Sequence, residues 1–155
     1  MSRIAVFPGS FDPITTGHEA IVKRALPLFD KIIIAIGENS TKQSFFPATK
    51  RFGWIKKVFA GEKKVDVKTY KELTIDFCMD ENANYILRGL RTSADFEFER
   101  VIALMNRTME EKIETVFILS APELSAIAST VVRDIIKNGG DASRFVPSAI
   151  RKELK

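Results

Sequence analysis

The chain has 155 residues, of which 45% are hydrophobic and 28% charged, and this composition predicts a single globular domain over residues 1–155. Apolar runs stay shorter than the roughly 18 residues of a membrane helix, and the first residues lack a signal-peptide pattern, so we expect a cytoplasmic protein without a membrane partner. The net charge of +4 suits anionic ligands, but acids and bases are interspersed along the chain without a basic block, which favours phosphates on a small molecule over nucleic acid.

Short aliphatic runs alternate with longer segments of helical periodicity, which predicts an α/β fold. The predicted strands cover residues 3–7, 31–36, 65–69, 85–87 and 115–119. The predicted helices cover residues 19–29, 47–60, 74–82, 93–109 and 129–137, with a short one after Pro147. In the helix over 93–109, helical spacing is approximated by Phe96, Val101, Leu104 and Met105.

Consecutive Ile and Val residues indicate strands covered on both faces. With right-handed crossovers, this predicts a doubly wound, five-stranded parallel sheet with helices on both faces. In such a sheet the ligand binds beyond the carboxyl ends of the strands, at the point where the strand order reverses. The residues directly after each strand are therefore the candidates for a site.

The segment after the first predicted strand, residues 8–18, is suited to phosphate. It contains glycine for close backbone approach, the Ser10 hydroxyl, and His18 at the start of a helix, where N–H groups and the helix dipole favour anions. If His18 is considered alone, the better interpretation is a loop that only connects the strand to the helix, with the histidine at the surface. The spacing G-S-F-D-P-I-T-T-G-H carries a family resemblance, given below, and that resemblance favours a phosphate site instead.

A second polar group follows the fourth predicted strand. Arg88 and Arg91 flank a glycine just before the helix over 93–109. Guanidinium groups bind phosphate oxygens through paired hydrogen bonds, and a glycine lets backbone N–H groups join them. A solvated arginine pair beside acidic residues is the alternative interpretation, and the first motif favours the ligand site.

The two motifs carry a resemblance to a known family. Residues 15–18, T-T-G-H, resemble the T/H-x-G-H signature of the nucleotidyltransferase superfamily. The run R-G-L-R-T-S-A-D-F-E-F-E at 88–99, followed by M-N-R at 105–107, is similar to the bacterial phosphopantetheine adenylyltransferases. The resemblance implies a single-domain Rossmann-like fold and transfer of the adenylyl group of ATP to 4′-phosphopantetheine. The products would be dephospho-coenzyme A and pyrophosphate, formed by direct in-line attack without a covalent intermediate.

The resemblance also implies roles for individual residues. It assigns catalysis to Ser10, His18, Lys42 and Arg91, with His18 stabilising the transition state at the α-phosphate. It assigns the nucleotide site to Ser10, Phe11, His18, Gly89, Leu90, Arg91, Glu99, Leu124, Ser125, Ala126, Ile127, Ala128, Ser129 and Thr130. It assigns the phosphopantetheine site to Ser10, Lys42, Thr74, Arg88 and Asn106. In that site Lys42 and Arg88 would hold the phosphate.

Three positions depart from the family's pattern. Phe98 stands where tyrosine is common, Ala128 replaces a serine, and Thr74 takes a position that is often apolar. None of these changes removes a phosphate-binding group. The single cysteine, Cys78, lies in an apolar run, so we expect a buried side chain without a catalytic role.

The expected cofactor is Mg²⁺, held mainly by the phosphates of ATP, because no carboxylate cluster in the sequence specifies a protein metal site. The resemblance further implies a homohexamer, and coenzyme A as a feedback inhibitor. Other superfamily members, such as a nicotinamide mononucleotide adenylyltransferase or a glycerol-phosphate cytidylyltransferase, are the enzymatic alternatives. A non-catalytic nucleotide- or RNA-binding module has only the basic isoelectric point in its favour.

Overall fold

The computed structural model describes residues 1–38 and 41–154, in which strands and helices alternate. The strands are β1 (Ile4–Gly9), β2 (Lys31–Gly37), β3 (Val65–Tyr70), β4 (Tyr85–Leu90) and β5 (Glu114–Leu119). The helices are α1 (Thr16–Ala25), α2 (Ala48–Val58), α3 (Thr74–Asp80), α4 (Ser93–Met109) and α5 (Ser129–Lys137). Short 3₁₀ helices occupy Pro122–Leu124, Ser143–Phe145 and Ser148–Leu154. No described helix combines the length and apolarity needed to cross a bilayer.

The sheet is parallel throughout, with strand order β3-β2-β1-β4-β5. Strands β1 to β3 form one half of the sheet, and β4 and β5 are added on the other side of β1. The predicted doubly wound sheet is therefore confirmed. The switch point lies between β1 and β4. These two strands pair at Ala5–Tyr85 and Val6–Ile86, whereas β1 pairs with β2 along its whole length. The carboxyl halves of β1 and β4 therefore part and open a crevice.

Side chains of the central strands alternate between two apolar layers. On one face Ile32 and Ile34 pack with residues of α1, α2 and α5. On the other face Ile33 and Ala35 pack with residues of α3, among them Cys78. Because both faces are covered, consecutive positions of β2 are apolar, as predicted. Burial raises the pKa of the Cys78 thiol to about 12.

Helix α1 begins and ends earlier than predicted. It starts at Thr16 because the Thr15 hydroxyl accepts the backbone N–H of His18 and caps the first turn. It ends at Ala25, followed by Leu26 as the C-cap. The reason is Pro27, which has no N–H with which to continue the ladder.

Helix α4 has its predicted bounds, but its apolar stripe is not covered by the rest of the chain. Val101, Leu104 and Met105 are 56%, 52% and 59% exposed. The buried residue of α4 is Glu99, a carboxylate. An exposed stripe of large apolar side chains on a well-formed helix is typical of a surface that another protein chain covers.

Candidate active site

The loop between β1 and α1 packs an aromatic ring against His18. Phe11 has a φ of +46°, uncommon for a residue other than glycine, and its side chain is buried. The ring centroids of Phe11 and His18 are 4.9 Å apart. A Cβ on Gly9 would come within 3.1 Å of the Phe11 ring, a tight contact, so glycine at this position lets the ring pack closely without displacement. Phe11 therefore supports the imidazole from one side.

His18 is held by a capping box at the start of α1. The backbone N–H of Thr15 donates to Nδ1 of His18 at 3.0 Å. A ring nitrogen that accepts a hydrogen bond carries no proton, so the neutral ring bears its proton on Nε2. The imidazole thus offers an N–H donor to a ligand.

The surroundings of His18 keep its ring neutral. Burial, followed by the positive charges of Arg88 and Arg91, lowers the pKa of His18 to about 4. At neutral pH the ring is therefore uncharged, far from the range in which it exchanges protons efficiently. Donating a hydrogen bond to a phosphate oxygen fits this state better than acid–base catalysis.

Arg88 lies within β4, and hydrogen bonds fix its guanidinium. Nε and Nη2 donate to the two carboxylate oxygens of Glu99 at 2.9 and 2.6 Å, and Nη1 donates to the Pro8 carbonyl at 2.6 Å. The bidentate pair joins β4 to α4, and the bond to Pro8 joins both to β1. Glu99, predicted as a nucleotide contact, is thus also the partner that orients Arg88.

Arg91 lies just after β4 and is held more loosely. Its Nε is 3.4 Å from Oδ2 of Asp95, one helical turn further on. Both side chains are partly exposed, and a pair of this kind contributes less than about 1 kcal/mol. Arg91 can therefore turn towards an anionic ligand at little cost.

The first turn of α5 brings a third element to the crevice. Its N-cap, Ala128, has no side chain that could accept hydrogen bonds from the first-turn N–H groups. The Ser129 hydroxyl donates instead to the Pro13 carbonyl at 2.8 Å and ties α5 to the β1 loop. Backbone N–H groups at such a helix start favour an anion.

These elements enclose a cavity of about 300 Å³ at the switch point. The predicted nucleotide-site residues that line it are Ser10, Phe11, His18, Gly89, Arg91, Glu99, Ile127, Ala128, Ser129 and Thr130. Four others lie outside its lining, namely Leu90, Leu124, Ser125 and Ala126. The side chain of Leu90 is buried. The cavity thus gathers most of the residues that the family resemblance assigns to ATP.

A second cavity, of about 190 Å³, adjoins the first and shares Arg88 and Glu99 with it. It contains two further residues predicted for phosphopantetheine, Thr74 and Asn106. The Thr74 hydroxyl lies 2.9 Å from that of Tyr70, so its polar group has a partner within the protein. Three of the predicted acceptor residues are therefore brought together here.

Lys42 is placed elsewhere. It is exposed, and it lines a third cavity of about 640 Å³ together with Arg133 and Lys137. This cavity meets the first one at Ser10, which lines both. Lys42 and Arg88 thus line different cavities, on either side of the β1 loop residue Ser10.

Two buried charged residues, Asp12 in the β1 loop and Arg51 packed against it, were not predicted from the sequence. Arg51 falls in a helix rich in basic residues, where a solvated side chain is the ordinary expectation. Its burial depends on contacts with segments distant in sequence, which periodicity does not reveal. In the sequence Asp12-Pro13 is a turn dipeptide, which indicates a loop but does not indicate what the carboxylate binds.

Comparison with known proteins places this site in a family. Residues 6–135 match the family model described as cytidylyltransferase-like. The phosphopantetheine adenylyltransferase of Flavobacterium psychrophilum is 54% identical, over 96% of this chain and 98% of its own length. That of Leptospira biflexa is 44% identical, over 99% of this chain and 96% of its own length.

Solved structures agree in fold. The bifunctional NMN adenylyltransferase/ADP ribose pyrophosphatase of Francisella tularensis is similar with a TM-score of 0.76 at 17% identity, over 99% of this chain and 49% of that one. A putative nicotinate-nucleotide adenylyltransferase of Vibrio parahaemolyticus has a TM-score of 0.68, also at 17% identity, over 99% of both chains. The Rossmann-like prediction is therefore confirmed. The chain belongs to the phosphopantetheine adenylyltransferase family and is a nucleotidyltransferase.

Proposed function

We propose that the chain transfers the adenylyl group of ATP to 4′-phosphopantetheine by direct in-line attack, giving dephospho-coenzyme A and pyrophosphate. One observation carries this proposal. The neutral His18, Arg91 and the first turn of α5 line a single cavity at the switch point, next to the cavity that holds Arg88. The named relatives support the choice of acceptor.

The acceptor needs no general base. A phosphate monoester is nearly doubly ionised at neutral pH, so its oxygen is already nucleophilic. That oxygen attacks the α-phosphorus, and the bond from the α-phosphorus to the oxygen bridging it to the β-phosphorus breaks. Pyrophosphate leaves with the electron pair. Because two anions must approach each other, positioning of the reactants and stabilisation of the negative charge account for the rate acceleration.

The residues around the first cavity supply that stabilisation. The Nε2–H of His18 donates to an α-phosphate oxygen, where charge builds up in the transition state. Arg91 and the first-turn N–H groups of α5 take the charge of the departing pyrophosphate. Ser10 contributes its hydroxyl on the acceptor side. Cys78 takes no part, because it is buried in the apolar layer between the sheet and α3.

The acceptor phosphate is held by Arg88 and Lys42 in this proposal. Arg88 is already oriented by Glu99, so it binds without further ordering. Lys42 reaches the phosphate from the third cavity, past Ser10. Thr74 and Asn106 lie along the second cavity, which suits the polar arm of pantetheine.

Magnesium is expected to arrive with ATP. The described residues contain no group of three or more metal-binding side chains. The carboxylates at the cavity, Asp95 and Glu99, already pair with Arg91 and Arg88. The donors that fit are the hydroxyls of the lining, of which Thr130 is exposed, and Mg²⁺ commonly keeps water and phosphate oxygens as its main ligands. Bound there, the ion would neutralise phosphate charge.

Two further proposals concern assembly and regulation. The exposed apolar stripe of α4 is suited to contact with copies of the chain, and the family resemblance supports a homohexamer as the assembly. Coenzyme A shares the pantetheine arm with the product, so we expect it to occupy the same cavities and to act as a competitive feedback inhibitor.

The experiment that tests the reaction is a pyrophosphate-release assay. ATP with 4′-phosphopantetheine should give turnover, whereas nicotinamide mononucleotide with ATP and glycerol 3-phosphate with CTP should not. His18→Ala should lower kcat by on the order of 10²–10³, in the range of one lost transition-state donor, with a smaller effect on ATP binding. Faster release with either alternative acceptor would contradict the proposed substrate. Unchanged kcat in His18→Ala would contradict the role of the imidazole.

A further inference from the structure

Two charged side chains, one in the β1 loop and one packed against it, are buried outside the first cavity. Asp12 and Arg51 are 5% and 3% exposed. Burying a charge is costly unless hydrogen bonds compensate for it. Over residues 1–38 and 41–154, neither of the two forms an ion pair. Their hydrogen bonds connect two separate loops instead.

Arg51, on α2, directs all three guanidinium nitrogens at neutral oxygen atoms. Nη1 donates to the Ser10 carbonyl at 2.6 Å, and Nε donates to the Phe46 carbonyl at 3.0 Å. Nη2 donates to the Ser44 hydroxyl at 3.1 Å. One planar group therefore spans the β1 loop and residues 44–46. A lysine ammonium is a compact point charge and does not reproduce this fork.

Asp12 makes the reciprocal contacts from the β1 loop. Its carboxylate accepts the backbone N–H groups of Phe45 at 2.7 Å and Phe46 at 2.8 Å. Its backbone carbonyl accepts from Arg133 of α5 at 2.8 Å. Residues 44–46 are thus bound to the β1 loop directly, through the N–H groups of Phe45 and Phe46, and indirectly, through Arg51. We call the Arg51 and Asp12 contacts the clamp.

We propose that Arg51 and Asp12 are positioning residues for adenylyl transfer, because the clamp holds residues 44–46 against Ser10 and so sets where Lys42 enters the site. This inference rests on the proposed function. Lys42 precedes the clamped segment by two residues, and the cavity it lines opens to the first cavity at Ser10. The clamp also fixes the Ser10 backbone directly. It acts on the substrates through Lys42 and Ser10.

Kinetic constants of Arg51→Lys and Asp12→Asn test the clamp. Arg51→Lys keeps the charge and loses the fork, while Asp12→Asn places an N–H₂ group against a backbone N–H. Each should lower kcat/KM for phosphopantetheine by about tenfold or more, since small displacements of positioning groups slow a reaction strongly. The KM for ATP should change by less than about threefold, because the nucleotide groups of α5 and β4 stay in place. Lys56→Met is the matched control: Lys56 is exposed on the same helix, contacts Phe52 and Asp66 rather than residues 44–46, and its replacement should leave both constants unchanged.

A double-mutant cycle with Lys42→Ala separates positioning from general destabilisation. Lys42→Ala should raise the KM for phosphopantetheine in the wild-type background and add little to Arg51→Lys, because the lysine is already displaced there. Independent, additive effects would overturn the proposal, as would activity losses that match the unfolded fraction seen by circular dichroism. Wild-type chain that fails to turn over these substrates would instead overturn the proposed function.

Discussion

At the scale of the residue, His18 shows how a local cap sets chemistry. The Thr15 backbone N–H occupies Nδ1, and burial lowers the pKa of the ring to about 4. The same contacts that begin α1 therefore fix both the tautomer and the charge of the imidazole. Protonation would place a proton on the nitrogen that accepts the capping hydrogen bond, so cap and charge state depend on each other.

This coupling predicts a pH dependence of stability. The unfolded chain has a histidine pKa near 6.5, while the folded chain holds it at about 4. Between these values the unfolded chain binds a proton that the folded chain excludes. The free energy of unfolding therefore falls as the pH drops through this window and is unaffected by His18 above it. The difference between the two pKa values corresponds to about 3 kcal/mol.

His18→Gln isolates the contribution, since glutamine also completes a capping box and does not titrate. Urea unfolding of both proteins at matched concentration, at pH 7 and at pH 4, gives the wild-type-minus-variant difference in unfolding free energy. This difference should shift against the wild type by about 2–3 kcal/mol on acidification. A difference that is the same at both pH values would show that the ring titrates normally in the folded chain.

At the scale of the element, the glycine inside α2 and the glycine after α5 have opposite effects on the stability of their helices. Gly53 is exposed in the middle of α2, with nothing near its Cα that a methyl group would touch. Gly139 follows the C-cap of α5 with a φ of +75°, and its N–H donates to the Ile136 carbonyl at 3.0 Å. The first glycine weakens its helix, whereas the second one ends its helix in the left-handed region.

Alanine at the two glycines should therefore shift stability in opposite directions. Gly53→Ala should stabilise by about 0.5–1 kcal/mol through helix propensity. Gly139→Ala should destabilise by about 1–2 kcal/mol through its positive φ. The measurement is the thermal midpoint at fixed protein concentration, where 1 kcal/mol corresponds to roughly 2–4 °C in a chain of this size. Shifts of the same sign would contradict this explanation.

Elements were easier to predict than contacts between them. The consecutive apolar residues of β2 predicted a strand covered on both faces, and the predicted doubly wound sheet placed the site at its switch point. The strand order in the structure shows that this point lies between β1 and β4. The hydrogen bonds of His18 and Arg88 depend on how segments far apart in sequence meet, such as Arg88 and Pro8. The same holds for the burial of Arg51 and for the separation of Lys42 from Arg88.

At the scale of the whole molecule, the stripe on α4 qualifies the prediction made from its periodicity. Helical spacing of Val101, Leu104 and Met105 is typical of a face packed on a core, yet these side chains are about half exposed in the chain by itself. Periodicity reports that a face is apolar and does not report what covers it. The proposed hexamer would supply the cover.

Leu104→Glu tests this assembly. The exposed position should tolerate the charge within one chain, while a carboxylate in an apolar contact between chains is costly. Light scattering should then show a mass well below that of the wild-type assembly, with an unchanged circular dichroism spectrum. Lys63→Glu, an exposed charge change outside α4, is the control and should leave the mass unaltered. An unchanged mass in Leu104→Glu would mean that this face takes no part in the assembly.

The burial of Cys78 affects how the chain reacts with an acceptor that carries a thiol. Phosphopantetheine ends in a thiol, and once this thiol has been oxidised to a disulfide, the thiolate of a reactive protein cysteine attacks it and forms a mixed disulfide while the other thiol leaves. With its pKa raised to about 12 and no exposed surface, Cys78 is neither ionised nor reachable at physiological pH. An oxidised acceptor therefore finds no sulfur on the folded chain with which to form a covalent adduct. The enzyme can therefore bind its own substrate under oxidising conditions without being covalently modified by it.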